Sequence, residues 1–514
     1  MSRWISAALL LLTLAGCGRA ARDPNIVVML IESSPTSLDP RIGTDAQSEH
    51  IDSLLFDSLV RRDASFNIAP ALAERWETPD PLTYIFHLRS GVRFHDGRPL
   101  SARDVKFTLE TMGAATEHAA ETLRVTTIKA ASYATWASIE TPDPLTLVVH
   151  LKKPDSALLW NVCDGAFGVV PYGSGRDFWK HPTGSGPFAF VSQEQDKDVL
   201  IRRAPSYWEP LPKIAGVRFS VVPDAITRAL ELEKGSADLV LNAIPADMLR
   251  ALAANPKLVI ESGPGTVLNY LVFNTRDPHL KDPRVRNAIA EAIDRPELVS
   301  ALFGGRARLA ESVLPPEHWA WAPPGDPHNY KPAAANALLD QAGYPRDPQG
   351  VRFKLTIKCS TDETTRLLAV VLQQQLARIG IAIEVRSYEF ATYYSDLTRG
   401  AFQIAPGRWI GGNEAPDIFR YAYASASAPP KGANRGYYSN TVLDLLLADA
   451  AAHDDRARQQ QDYARIQQVL AADEPSVNLW YLDTVAVYSR RLGNLHVAAS
   501  GNFDFLRDIS LSGR

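Results

Sequence analysis

Cysteine is scarce in this chain, with 3 among 514 residues, so a small disulfide-stapled framework is excluded. Beyond Cys17 only Cys163 and Cys359 remain; they fall in different halves and are read as two free or buried thiols. Neither sign of charge is in excess: 54 Lys+Arg stand against 58 Asp+Glu, a net charge of −4. That balance points away from nucleic acid and from anionic membrane surfaces as partners. After the first residues no apolar run approaches the roughly 20 positions of a membrane helix. Local catalytic motifs are missing as well. There is no His-Glu-x-x-His, no Cys-x-x-Cys and no Gly-x-x-x-x-Gly-Lys, and Gly184-Ser185-Gly186 lacks the spacing of a nucleophile elbow. The 11 histidines are scattered without zinc spacing, and His95, beside Asp96, reads as turn chemistry. No catalytic residue, cofactor or metal is expected, although a triad assembled from distant residues leaves no local motif.

The chain opens with Arg3, an apolar run over Ala7–Leu14, and Leu14-Ala15-Gly16-Cys17. A basic start, an apolar stretch too short to span a bilayer and small residues before a cleavage point make an export signal. Leu-Ala-Gly-Cys also resembles the bacterial lipobox, which implies a signal peptide over 1–16 and lipidation of Cys17. Residues 17–25 then form a tether. The mature chain is expected in the cell envelope, anchored at the outer face of the cytoplasmic membrane.

Roughly 500 residues exceed what one hydrophobic core supports, so two or more lobes are expected. Hydrophobic content of 46% and charged content of 22% are those of an ordinary globular protein. Ile26–Ile31 reads as a strand, and Ile51 to Val60 as a helix with Leu54, Leu55, Leu59 and Val60 on one face. Tyr84–Arg89 alternates, Val92–Phe94 follows, and His95-Asp96-Gly97 supplies a turn before a helix capped at Ser101. Leu145–Leu151 is a strand, and Thr183–Pro187 a loop. A strand at Val217–Val222, a helix over Ala225–Lys234 and a strand at Asp238–Leu241 follow, and Asp282-Pro283 starts another helix. The clearest unit is 353–386: alternation, an amphipathic helix over Thr364–Ile379 stopped by Gly380, then alternation again, a βαβ crossover.

Several segments together carry a resemblance. In order they are Ser37–Pro40, Leu55–Val60, Pro70–Glu77, Leu88–Phe107, Gly184–Phe188, Ala204–Trp208, Phe273–Thr275, Asp282–Ile289 and Ala335–Tyr344. The set resembles the family 5 extracellular solute-binding proteins, the oligopeptide- and dipeptide-binding group of ABC importers. Leu88–Phe107 is its densest part. The resemblance implies an α/β, bilobed periplasmic-binding-protein fold of type II, with an extra subdomain in lobe one and a hinge of two crossings. Lobe one is expected over 26–270 with an inserted subdomain at about 66–175, lobe two over 271–480, and a C-terminal return to lobe one over 481–514. The crossings are placed near Leu268–Thr275 and Val477–Tyr488. A monomer is expected, with permease subunits and cytoplasmic ATPases as partners.

In the family, a Trp-x-Gly/Ala-Asp stretch lines the cleft and its aspartate grips the ligand's α-amino group. Here the matching stretch runs Arg408, Trp409, Ile410, Gly411, Gly412, Asn413, Glu414, and Gly412 stands where the aspartate belongs. An ammonium buried there unpaired is costly. Either Glu414 supplies the carboxylate from a shifted position, or the ligand has no free amine at that point; the charge argument favours the second. Trp409 reads as a cleft wall or a core residue, and Arg408 as a carboxylate partner or a solvated charge. Phe390, Tyr393 and Tyr394 fall where the family places pocket walls, against a core alternative. Ser34-Pro35-Thr36 corresponds to the lobe-one edge that pairs with an extended ligand. Arg435 and Tyr437 lie in a Gly-rich loop expected to face the cleft. Import of a peptide or peptide-like solute is the leading reading. A ligand-sensing adaptor, a hydrolytic enzyme on the same scaffold, and binding of an opine, an oligosaccharide or a metal chelate are the alternatives.

Overall fold

A computed structural model describes residues 23–43, 45–113, 133, 135–155, 157–163, 167–325, 329–453 and 455–512. The export signal and Cys17 lie outside the described residues.

Ile26–Ile31 is apolar at every position and forms a central parallel strand, bonded to Gly216–Val221 on one side and Leu239–Leu241 on the other. Val27, Met29 and Ile31 enter one core while Leu30 enters another, as the two-residue period of a strand requires. Seven strands make this first sheet, in the order Leu258–Gly263, Thr484–Ser489, Leu239–Leu241, Ile26–Ile31, Gly216–Val221, Asp198–Arg203, Phe188–Glu194. The second sheet has six, in the order Ala307–Leu309, Ser476–Leu482, Leu268–Phe273, Ile404–Trp409, Phe353–Ser360, Ile381–Tyr388. Each sheet has its own core, so the molecule is bilobed.

The chain passes from the first sheet to the second through 264–267 and returns at Asp483 alone. The two crossings touch. Leu482 N donates to Val267 O at 2.9 Å, and a Cβ on Gly265 would lie 2.1 Å from Leu482 O. Glycine at 265 is what lets the crossings run side by side.

The βαβ unit matches its sequence pattern. Phe353–Ser360 and Ile381–Tyr388 pair in parallel from Phe353↔Ile381 to Ser360↔Tyr388. Between them the helix Glu363–Arg378 is capped by Asp362, which accepts from Thr365 N, and the chain leaves through Gly380 at φ +86°. Within lobe one, Ala73–Asp80, Thr83–Leu88, Thr146–Leu151 and Trp136–Asp143 form a separate four-stranded antiparallel sheet. Tyr84, Phe86 and Leu88 alternate into the same core as Leu147, Val149 and Leu151, against the helix Ala102–Gly113.

One element differs from its sequence reading. The helix expected over 51–60 spans Ala46–Leu55, and Val60 begins a short strand, Val60–Arg62, paired with Ile68–Pro70. Asp45 caps it by accepting from Ser48 N, and the chain leaves extended at Phe56. Leu54 and Leu55 belong to the first-sheet core, whereas Leu59 and Val60 pack in the four-stranded-sheet core. Two apolar pairs that serve different cores mimicked one helical stripe.

The segments that carried the family resemblance meet in space. His95 Nε2 donates to Gly186 O at 2.9 Å, and its Nδ1 accepts from Gly184 N at 3.3 Å, which requires a neutral ring. A Cβ on Gly184 would fall 1.8 Å from Leu55 O. Cys163 and Cys359 are both buried, one in each lobe, and form no disulfide with each other.

Candidate functional site

A cavity of about 510 Å³ separates the lobes. Four segments of lobe one and one of lobe two wall it. Helix Ala46–Leu55 contributes Ala46, Glu49, His50 and Ser53, spaced three and four apart, the polar stripe opposite buried Ile51, Leu54 and Leu55. Arg62 comes from the end of Val60–Arg62, and Trp160, Asn161 and Cys163 from the helix Leu158–Asn161 and the turn after it. Ser500 and Asn502 arrive with the C-terminal return. Lobe two supplies the floor: Ile410, Gly411, Gly412, Glu414 and Ala415, directly after the strand Ile404–Trp409.

Glu414 is only 2% exposed, and its carboxylate is engaged at both oxygens. Oε1 accepts from Thr266 Oγ1 at 2.6 Å, and Oε2 pairs with Arg62 Nη1 of lobe one. The Glu414 carboxylate therefore bridges the lobes and is not a spare anion for a guest. Asn413 does not face the cavity: its Nδ2 donates to Thr266 O at 2.8 Å and Val313 O at 3.1 Å, pinning the floor to the hinge crossing. His50 is half-buried in the wall, and the desolvation of its ring pushes its pKa down to about 4 and holds it neutral.

The aromatic and cationic residues expected at the site collect elsewhere, inside lobe two. Trp409, 9% exposed, stacks on Tyr270 with ring centres 5.7 Å apart and an interplanar angle of 11°. The Arg435 guanidinium lies 5.2 Å from the Trp409 ring and donates to Tyr270 Oη at 2.8 Å. Tyr393 is buried and its hydroxyl donates to Pro406 O. These residues stiffen the strand that carries the floor. Phe390 is 61% exposed and stacks on Tyr394 at 5.9 Å. Arg408 is half exposed, 3.7 Å from the Asp362 carboxylate. Tyr437 lies under the Arg276 guanidinium, 3.5 Å from its ring centre. Ser34 Oγ accepts from Asp196 N at 2.7 Å, Pro35 is buried, and Thr36 N donates to Asp45 Oδ2 at 3.2 Å. Of the 14 residues expected at the ligand, only Gly411, Gly412 and Glu414 are in the wall of this cavity.

Sequence reasoning missed His50, Arg62, Trp160, Ser500 and Asn502. The polar stripe at 46, 49, 50 and 53 was the one local signal available. Among the described residues one group has metal-ligand chemistry: atoms of Asp449, His453 and Asp462 lie within 4.8 Å of one another. Arg458 already holds both Asp449 oxygens, at 2.8 and 3.0 Å, and His453 Nε2 lies 3.2 Å from Asp462 Oδ2.

The profile of the bacterial extracellular solute-binding proteins, family 5 Middle, matches residues 67–430. The glutathione-binding protein GsiB of Escherichia coli (strain K12) is 28% identical over 505 residues, 96% of this chain and 95% of that protein. Among solved structures, HbpA2 from Haemophilus parasuis superposes with a TM-score of 0.84 at 25% identity, covering 95% of this chain and 100% of that one. DppA from Helicobacter pylori, in complex with the peptide STSA, gives a TM-score of 0.77 at 26% identity, with coverage of 95% and 98%.

Proposed function

The chain belongs to the bacterial extracellular solute-binding proteins, family 5, and on that premise we propose that it captures a peptide or peptide-like solute between its lobes and hands it to an ABC permease. The observation that carries this reading is the cavity of about 510 Å³ with walls from both lobes. A guest shifts a hinge only through contacts it makes better in one state than the other. A divided wall supplies that difference, because a guest touches both halves only when they close. A glutathione-binding relative and a peptide-bound structural neighbour support a guest of peptide size.

The floor sets the chemistry at one end of the guest. Gly412 offers no charge, and the Glu414 carboxylate is committed to Arg62 and Thr266. An ammonium delivered to that point would meet no spare carboxylate on the floor itself. The guest therefore presents a blocked or uncharged group there, and N-acetyl-Ala-Ala-Ala is expected to bind at least as tightly as Ala-Ala-Ala. Native mass spectrometry of the mature domain lacking Cys17, with identification of what copurifies, tests the reading most directly. A protein that carries no solute and binds no peptide in calorimetry contradicts it.

Leu14-Ala15-Gly16-Cys17 supports a lipid anchor at Cys17. Palmitate labelling that disappears in Cys17→Ala, with release of the protein from the membrane fraction, is the expected outcome. Unlabelled wild-type protein would remove the anchor from the proposal.

A further inference from the structure

A second cavity, of about 270 Å³, lies on the other side of Trp160 from the first. Trp160 belongs to both walls, and the floors are consecutive in the chain: Gly411 to Ala415 under the first, Pro416 and Asp417 under the second. Trp76 and Tyr84 of the four-stranded sheet face it from one lobe, Trp319 and Tyr463 from the other. The second chamber, like the first, exists only between lobes.

Five aromatic rings around so small a space are walls that water wets poorly and that another ring fits by offset or edge-on stacking. Trp319 meets Tyr463 edge-on, at 5.8 Å and 79°. The charges nearby are already balanced. Arg420 holds both oxygens of Asp417, each at 2.7 Å, and the Arg456 guanidinium lies 3.3 Å from the centre of the Trp319 ring. The Arg456 guanidinium occupies the cation position over Trp319 and repels a second one, so the chamber suits a neutral ring over a lysine or arginine side chain.

We propose that this chamber receives an aromatic side chain of the bound peptide. The inference rests on the peptide reading above and adds to it a specificity for one ring-bearing position.

Calorimetry with the N-acetyl forms of Ala-Ala-Ala, Phe-Ala-Ala, Ala-Phe-Ala, Ala-Trp-Ala and Ala-Lys-Ala tests it. At least one ring-bearing peptide is expected to bind about tenfold tighter than Ala-Ala-Ala, and Ala-Lys-Ala no tighter. Thr78 is exposed on the strand Ala73–Asp80 and lines the chamber. Thr78→Trp fills the space from a surface position, and the ring preference is expected to fall towards unity; Trp76→Ala removes a wall and lowers it too. Wild-type protein that binds all five peptides alike overturns this inference and leaves the peptide reading standing. A ring preference that survives Thr78→Trp overturns it as well. Failure of every peptide to bind overturns the peptide reading and this inference together.

Discussion

A Cβ built on Gly412 meets only Trp409 Cε3, at 3.6 Å, which is ordinary contact. Gly412→Asp therefore adds a carboxylate to the cavity floor without displacing its neighbours, whereas Gly411, at φ +72°, would be strained by any side chain. A charge-assisted hydrogen bond to an ammonium contributes about 1.5–3 kcal/mol. Gly412→Asp is accordingly expected to strengthen binding of Ala-Ala-Ala relative to its N-acetyl form by roughly tenfold or more. Equal effects on the two peptides in calorimetry would falsify the role given to position 412.

Buried titratable side chains give the fold its own pH dependence. Burial pushes His50 down to about 4 and His318 down to about 3 from 6.5, and pushes Asp57 up to about 6 from 3.8. Asp57 accepts from Tyr207 Oη at 2.8 Å and Trp208 Nε1 at 3.1 Å, which only partly offsets that rise. Between about pH 4 and 6 the unfolded chain holds a proton on each of the two histidines that the folded chain lacks. The folded chain holds one on Asp57 that the unfolded chain lacks. For these three groups the net difference is one proton, roughly 1.4 kcal/mol of stability lost per pH unit on acidification across that window, and burial of His95, which also lowers its pKa, adds in the same direction. His318→Phe keeps a ring against Phe66 and removes one titration, so the pH dependence of urea-derived stability across the window should shrink by about 1.4 kcal/mol per pH unit. An unchanged slope would show that His318 takes up its proton in the folded protein.

Helix Ala46–Leu55 shows how one element serves fold and site together. Its apolar face buries Ile51, Leu54 and Leu55, and its polar face lines the cavity. The end of that helix also receives the loop at Gly184 and Gly186, whose Cβ atoms would lie 1.8 Å from Leu55 O and 2.7 Å from Leu54 O. Gly184→Ala is expected to cost more than about 3 kcal/mol, because a backbone carbonyl cannot step aside as a side chain can. A melting temperature within a few degrees of wild type would contradict this packing. The His95 turn and the Gly184–Gly186 loop were legible as separate motifs. Nothing local in either could say that one docks on the other. The βαβ unit read at 353–386 was legible because period and the Gly380 stop signal agreed, and the structure extends its second strand to Tyr388. The helix around 51 was displaced because apolar residues that serve two cores happened to share a helical spacing.

Across the whole molecule the lobes are held together by a few contacts around the cavity. Arg62 pairs with Glu414, Arg456 donates to Asn67 Oδ1, and the Phe66 ring stacks on His318 at 5.6 Å. Glu414→Gln removes the ion pair by which Arg62 ties lobe one to the floor of lobe two, and so weakens the closed state. Loss of one partner of such a pair is expected to shift closure by about 1–3 kcal/mol. Small-angle scattering should show a larger radius of gyration for the ligand-free variant than for wild type, reversed by saturating ligand. An identical scattering profile would mean that the bridge does not hold the lobes.

From residue order alone one could read the kinds of elements, since period, capping and turn chemistry act over a few neighbouring positions, while the family and the bilobed plan came from the ordered motifs that resemble family 5. The contents of the cavity could not be read that way. His50, Arg62, Trp160, Gly412 and Asn502 come from five distant segments and share a wall only because two separately cored lobes close on each other. The same closure explains why Glu414, plausible as a ligand anchor in a linear reading, is committed to Arg62. Local chemistry names a carboxylate, and long-range packing assigns its partner.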